Sequence, residues 1–342
     1  MMQSSAEDGN PPQTNTHMTA RLLILTPAAS FNEQLRSALL RAFPELSIEV
    51  ATSAVAAHDL IRDVGALLTI GSTISDDLLR SARALTWIQS LGTGVDGIVD
   101  RPTLAPQVVV TNARGLFDDA VSECALSLML ALARDLPRLV RNQALRHWDF
   151  WTPQLLCGKC VGVVGLGAIG TTLARKCKAL GMRVVGISNR AEAPDFDMIF
   201  GYERMLDAVR DVDFLVLVAA LNRQTREMID RHVLAAMPAS SYLVNLARGA
   251  VVVEADLIQA LSNRVIAGAA LDAFVSEPLP QDSRLWDLPN VLISPHLGGP
   301  NDSHLSRLMP IIECNVRAFL RGAAEAMVNR VQRPDAEEES SV

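Results

Sequence analysis

Residues Val161 to Gly170 read VGVVGLGAIG, and the fold follows from that stretch. An apolar run, Val161 to Val164, feeds into Gly165, Gly167 and Gly170 at G-x-G-x-x-G spacing. From Ala168 onward Ile169, Leu173, Cys177 and Leu180 recur at helical intervals, and Met182 to Ile187 is a second apolar run. Glycine spacing alone also marks ordinary turns. Set between strand, helix and strand, it predicts a dinucleotide site. Gly165 permits the turn, Gly167 keeps side-chain bulk away from a pyrophosphate, and Gly170 lets the helix pack close to the strand. The free N–H groups of the helix start, at Ala168, Ile169 and Gly170, then face the phosphates.

Downstream, apolar runs at Asp213–Ala219, Tyr242–Ala247, Ile266–Asp272 and Val291–Ser294 alternate with helical segments. Upstream, Arg21–Thr26, Ile48–Ala51, Ala66–Ile70 and Thr86–Ser90 repeat the theme. Such alternation builds parallel sheets with helices on their faces. The expected fold is α/β, with two Rossmann-like, doubly wound parallel-sheet domains and a cleft between them. A flavodoxin-like substrate domain is expected over 19–119, made discontinuous by 298–330, and a Rossmann domain over 120–297. Ala120, Cys124, Leu128, Leu132 and Leu136 predict a long helix crossing between them, capped by Asp118 or Asp119 and kinked or closed at Pro137. Gln143 to Trp151 reads as a loop or a partner contact.

With 342 residues, 49% of them hydrophobic and 20% charged, the chain can bury two cores. A net charge of −7 without clustered Lys or Arg argues against a nucleic-acid partner. The longest apolar runs, Cys124–Ala133 and Phe214–Leu221, are too short for a membrane span. Residues 1–18 and 331–342 are polar and read as disordered tails. An odd set of five cysteines fits free thiols and a cytoplasmic location. Cys157 and Cys160 match C-x-x-C, but no second pair accompanies them and Cys160 opens a strand. His58, His147, His232 and His304 lack neighbours at metal-ligand spacing, and no metal is expected.

Where the second strand of a dinucleotide unit ends, an acid that accepts from the adenosine ribose marks NAD. This chain has Ser188-Asn189-Arg190. An arginine can pair with a 2′-phosphate that a carboxylate would repel, so the expectation is NADP over NAD. The alternative is a solvated Arg190 and an undiscriminating site.

Three strand ends carry reactive groups: Asn245-Leu246-Ala247-Arg248-Gly249, Asp272-Ala273-Phe274-Val275-Ser276-Glu277-Pro278, and Ser294-Pro295-His296-Leu297-Gly298-Gly299. Singly, each has a bland reading as a surface cation, a solvated acid or a turn histidine. Together they supply the cation, carboxylate and imidazole that reversible hydride transfer at a 2-keto acid requires. In their order, GLGAIG, VNLARG, LDAFVSEPLP and SPHLGG resemble the D-isomer-specific 2-hydroxyacid dehydrogenases over roughly Leu85 to Asn315.

The resemblance implies that Arg248 holds the substrate carboxylate and carbonyl oxygen, that His296 is the acid/base, and that Glu277 pairs with the imidazole. It implies a second carboxylate anchor in the backbone N–H groups of a Gly-rich loop, here Thr93 and Gly94 within Leu91–Asp96. Asp272 joins the cofactor-binding set, with the glycine-turn residues and Ser188 to Arg190. It further implies a homodimer built on the cofactor domain, in which Trp148 or Trp151 either reaches the partner's cleft or packs in the core. Departures are Ala219-Ala220-Leu221-Asn222, where the family often has proline, Ser122 within Ala120–Glu123, and Cys160 for a common threonine; none touches the trio. The reading is an NADPH-favouring reductase of the glyoxylate/hydroxypyruvate type. Phosphite and formate dehydrogenases share the scaffold, and a dinucleotide-sensing corepressor or binding protein is the alternative of another class.

Overall fold

The computed structural model describes residues 20–190 and 192–332. The expected tails lie outside this range except for 331 and 332, and Val331 N–H still donates to Val110 O at 2.9 Å.

Strands β1 (Arg21–Leu25), β2 (Ser47–Ala51), β3 (Ala66–Thr69), β4 (Trp87–Ser90) and β5 (Val109–Thr111) form one parallel sheet in the order β2-β1-β3-β4-β5. This is the flavodoxin order. A second parallel sheet holds β6 (Cys160–Val164), β7 (Arg183–Ile187), β8 (Met198–Phe200), β9 (Phe214–Leu217), β10 (Tyr242–Asn245), β11 (Gly268–Leu271) and β12 (Val291–Ile293). Its order, β12-β11-β10-β9-β6-β7-β8, is the doubly wound pattern, with the reversal between β6 and β9. The central strands are buried on both faces because helices cover the sheet on each side: every residue of β6, β9 and β11 is buried.

The helix Asp118–Arg134 leaves the first sheet and packs along the helix Ala168–Ala179 that follows the glycine turn. It buries Val121, Ala125, Met129 and Leu132. Neither Asp118 nor Asp119 caps it: Phe117 is the N-cap residue and the two acids lie in the first turn, where they complement the helix dipole. Nor does Pro137 kink it. The helix ends when Asp135 turns left-handed (φ 51°), and the Asp135 carboxylate caps a new helix, Leu136–Ala144, whose first turn takes the proline.

The chain returns through the helix His304–Leu320, whose Leu308, Ile312 and Val316 enter the core that Leu22, Ile24 and Trp87 form in the first sheet. Asn315 on that helix is fully buried and donates to Gln89 Oε1 at 2.8 Å. A segment late in the chain thus completes the first unit's core.

Candidate active site

The glycine turn has the geometry expected of it. Gly165 sits at φ +101°, and a Cβ there would lie 2.7 Å from the backbone of Ala219, at the end of β9. A Cβ on Gly170 would overlap the Gly165 carbonyl. A Cβ on Gly167 would meet nothing within 4 Å, so the space over the helix start is open. The amides of Ala168, Ile169 and Gly170 belong to the unpaired first turn of Ala168–Ala179 and border that space. A dinucleotide pyrophosphate fits this cradle.

At the end of β7, Ser188 is half-buried while Asn189 and Arg190 are exposed. Ser188 Oγ accepts from Arg190 N–H at 3.3 Å, and Asn189 Nδ2 donates to Gln224 Oε1 at 3.2 Å. Arg190 curls back over the glycine turn and donates to Leu166 O at 2.8 Å. Its guanidinium therefore lies beside the phosphate cradle, with donors to spare.

The three reactive residues follow β10, β11 and β12, whose parallel register brings their carboxyl ends to one edge. His296 Nδ1 and Glu277 Oε2 are 2.8 Å apart, and Glu277 Oε1 accepts from Phe274 N–H at 2.9 Å. The bond to the Glu277 carboxylate raises the imidazole pKa above its ordinary value, against partial burial and the Arg248 charge. For Glu277, burial pushes the pKa up. The bonds from His296 and Phe274, with the positive charges of His296 and Arg248, outweigh it and hold the acid below its usual range. Arg248 is thus close enough to act electrostatically on both partners.

His296 adopts φ +55°, an uncommon conformation for a side-chain-bearing residue. Asp272, 3% exposed, holds it there: one carboxylate oxygen accepts from Ser294 Oγ and from Leu297 N–H at 2.7 Å, the other from Gly298 N–H at 2.8 Å. The bonds of Asp272 are made to the loop that carries the imidazole. Cys124, on the crossing helix, has its thiol pushed up to about 11 by burial and by the Asp272 charge, which leaves it protonated at neutral pH.

Across the cleft, the Gly-rich loop after β4 meets Arg248. Its guanidinium lies so close over Gly94 that any Cβ there would overlap Nη2. Arg248 Nε donates to Asp96 Oδ2 at 3.0 Å, and Nη1 to Ala247 O at 2.8 Å. Asp96 is a residue the sequence reading passed over, although it stands two positions after Gly94. Nothing local in the sequence joins it to a residue 152 positions away. Thr93 Oγ1 is buried and has no hydrogen-bond partner among the described residues.

Trp148 is 96% exposed, so it packs in no core of this chain. Trp151 is half-buried beneath Arg138, whose guanidinium lies 4.5 Å from the ring centroid. It lines a cavity of about 310 Å³ at the amino ends of β10 and β12, on the side of the sheet away from the trio.

With this geometry in place, comparison with known proteins finds three kinds of similarity. The family model for the NAD binding domain of D-isomer specific 2-hydroxyacid dehydrogenases matches residues 126–298. A glyoxylate reductase of Pyrococcus horikoshii is 30% identical over 282 residues, covering 79% of this chain and 84% of the relative. A D-isomer specific 2-hydroxyacid dehydrogenase family protein from Aeromonas salmonicida superposes with a TM-score of 0.81 at 29% identity, covering 92% of this chain and 100% of that one. A D-isomer specific 2-hydroxyacid dehydrogenase from Xanthobacter autotrophicus, solved with NADPH and MES, gives 0.78 at 30% identity, covering 91% and 98%.

Proposed function

The chain belongs to the D-isomer specific 2-hydroxyacid dehydrogenases, oxidoreductases of CH–OH donors that use a nicotinamide dinucleotide, and from that premise we propose that it reduces a small 2-keto acid such as glyoxylate or hydroxypyruvate to the D-2-hydroxy acid with NADPH. The observation that carries the reading is the convergence of Arg248, Glu277 and His296 on one edge, with the Thr93–Gly94 loop of the other domain lying against Arg248. Relatives named as glyoxylate reductases support the choice of acid. The dehydrogenase crystallised with NADPH, together with Arg190 beside the glycine turn, supports NADPH. The domain limits we adopt are 19–119 with 298–330 for the substrate, and 120–297 for the cofactor.

When bound, the nicotinamide supplies a hydride to the carbonyl carbon. Arg248 orients the carboxylate and polarises the carbonyl oxygen. The Thr93 and Gly94 amides take the other side of the carboxylate. His296, whose protonated form the Glu277 carboxylate favours, donates its proton to the oxygen as negative charge builds there. In the reverse direction the neutral imidazole takes the proton from the hydroxyl. Asp96 steers Arg248, and Asp272 steers the loop bearing His296. Beside its three loop bonds, Asp272 keeps one lone pair on Oδ2 to accept from a polar group of the nicotinamide. The exposed arm after the crossing helix makes the contact of a homodimer, and five free thiols suit the cytoplasm.

Consumption of NADPH and of NADH, followed with glyoxylate, hydroxypyruvate and pyruvate, tests the assignment. Turnover is expected with NADPH preferred, and Arg190→Ala should raise the KM for NADPH at least about tenfold while barely moving that for NADH. Absence of turnover with every acid would leave a dinucleotide-binding protein. An equal effect of Arg190→Ala on both coenzymes would remove the NADPH preference.

A further inference from the structure

The Gly-rich loop after β4 is bonded in a one-sided way. The carbonyl of Gly92 accepts from Ala113 N–H at 3.0 Å, that of Thr93 from Asn112 Nδ2 at 2.8 Å, and that of Gly94 from Ser90 Oγ at 2.9 Å. Gly92 N–H donates back to Ser90 Oγ at 3.3 Å. Among the described residues, nothing accepts from the amides of Thr93, Gly94 or Val95. A turn with its carbonyls tied down and successive amides free is an anion cradle, and this one lies against the Arg248 guanidinium.

Ser90 fastens the cradle from beneath. It is 1% exposed, and its single hydroxyl takes the Gly92 N–H and gives its proton to the Gly94 carbonyl, the nearer of the two carbonyls in reach. Its own carbonyl is held by Gln89 Nε2 at 2.8 Å, and Gln89 Oε1 in turn receives Thr111 Oγ1 at 2.7 Å and Asn315 Nδ2 at 2.8 Å. Side chains of β4, β5 and the returning helix thus converge under one three-residue turn. Buried polar groups are costly unless every partner is supplied, and here the partners come from elements distant in sequence.

We infer that Ser90 is a positioning residue for substrate: by clamping Gly92 and Gly94 it turns the Thr93 and Gly94 amides toward the carboxylate of the 2-keto acid. The inference rests on the proposed reduction of 2-keto acids and names the residue that sets carboxylate affinity at that same site. The carboxylate is unchanged by the reaction, so the cradle grips ground state and transition state alike. Loosening it costs KM and spares kcat.

Ser90→Ala therefore should raise the KM for glyoxylate about tenfold, with kcat within about twofold. The Kd of oxalate, an unreactive dianionic mimic, on the NADPH-bound enzyme should rise by a similar factor, while NADPH affinity is unchanged. Asn112→Ala, which frees the Thr93 carbonyl from a half-buried position, should shift KM in the same direction, and it decides the matter if Ser90→Ala fails to fold. An unchanged KM in an active enzyme overturns the role of Ser90 and leaves the proposed function standing. Parallel losses of kcat, NADPH affinity and thermal midpoint overturn it too, since they mark Ser90 as a core residue only. A wild-type protein that neither reduces the acids nor binds oxalate sinks the inference and the proposed function together.

Discussion

At the scale of single residues, the proposed site sets two ionisations against each other. His296 is raised and Glu277 lowered by the bond they share. The sign follows from linkage. Stabilisation through His296 is complete below the ordinary histidine pKa and lost as pH rises through the raised one. Stabilisation through Glu277 is complete above the ordinary carboxylate pKa and lost as pH falls through the lowered one. The proposed reduction needs the imidazolium, so kcat/KM for the keto acid should decline on the alkaline side through the raised His296 value. Glu277→Gln replaces the anion with a neutral amide and should move that alkaline limb to lower pH. A pH–rate profile of the variant checks this, and an unmoved limb would mean that Glu277 does not tune the histidine.

At the scale of elements, the strand–turn–helix unit puts different demands on glycines five residues apart or fewer. Gly170 touches the Gly165 carbonyl, so Gly170→Ala must force helix and strand apart and should cost about 1–3 kcal/mol of stability. Gly167 has φ −76° and open space above it, a conformation that alanine tolerates. Gly167→Ala should leave the thermal midpoint of the coenzyme-free protein nearly unchanged yet weaken NADPH binding severalfold, because its methyl group projects where the pyrophosphate would lie. Melting curves with and without NADPH separate the two variants, and a Gly167→Ala protein with normal NADPH affinity would move the phosphates elsewhere. The same scale shows what periodicity hides. Strands β5 and β8, three residues each at sheet edges, gave no readable alternation, and their pairing with β4 and β7 is what makes them strands. The ends of the crossing helix depend likewise on Asp135 turning left-handed, which no propensity of Asp118 or Pro137 announces.

At the scale of the whole molecule, two sheets are joined by a helix that leaves and a helix that returns, and the surface left over is informative. Leu139, Val140, Leu145, Trp148, Phe150 and Leu155 are all exposed along one arm. Apolar exposure of this extent on a folded chain marks an association surface. In the proposed homodimer this arm is the contact, so Leu139→Glu combined with Val140→Glu should halve the mass seen by light scattering while leaving the monomer folded. A wild-type monomer, or a variant that remains dimeric, would take the interface away from the arm. Among the described residues no helix is long and apolar enough to cross a membrane.

What the sequence alone determined is what short-range periodicity encodes. The glycine turn, ten of the twelve strands among the described residues and the two-domain α/β plan were legible because each sits in a local pattern whose spacing reflects backbone geometry. Arg248, Glu277 and His296 were instead singled out by their residue types at strand ends and by resemblance to the family's motifs, and their roles belong to the proposed function. What only the tertiary structure decided is which of these groups share a partner. Asp96 meets Arg248 from the other domain, Asp272 spends its bonds on the histidine loop, and Ser90 clamps the turn facing the cleft over a network reaching Asn315. The physical reason is that a buried hydrogen bond is defined by two groups brought together through folding. One strand of text carries the donor and another the acceptor, and no spacing rule connects them.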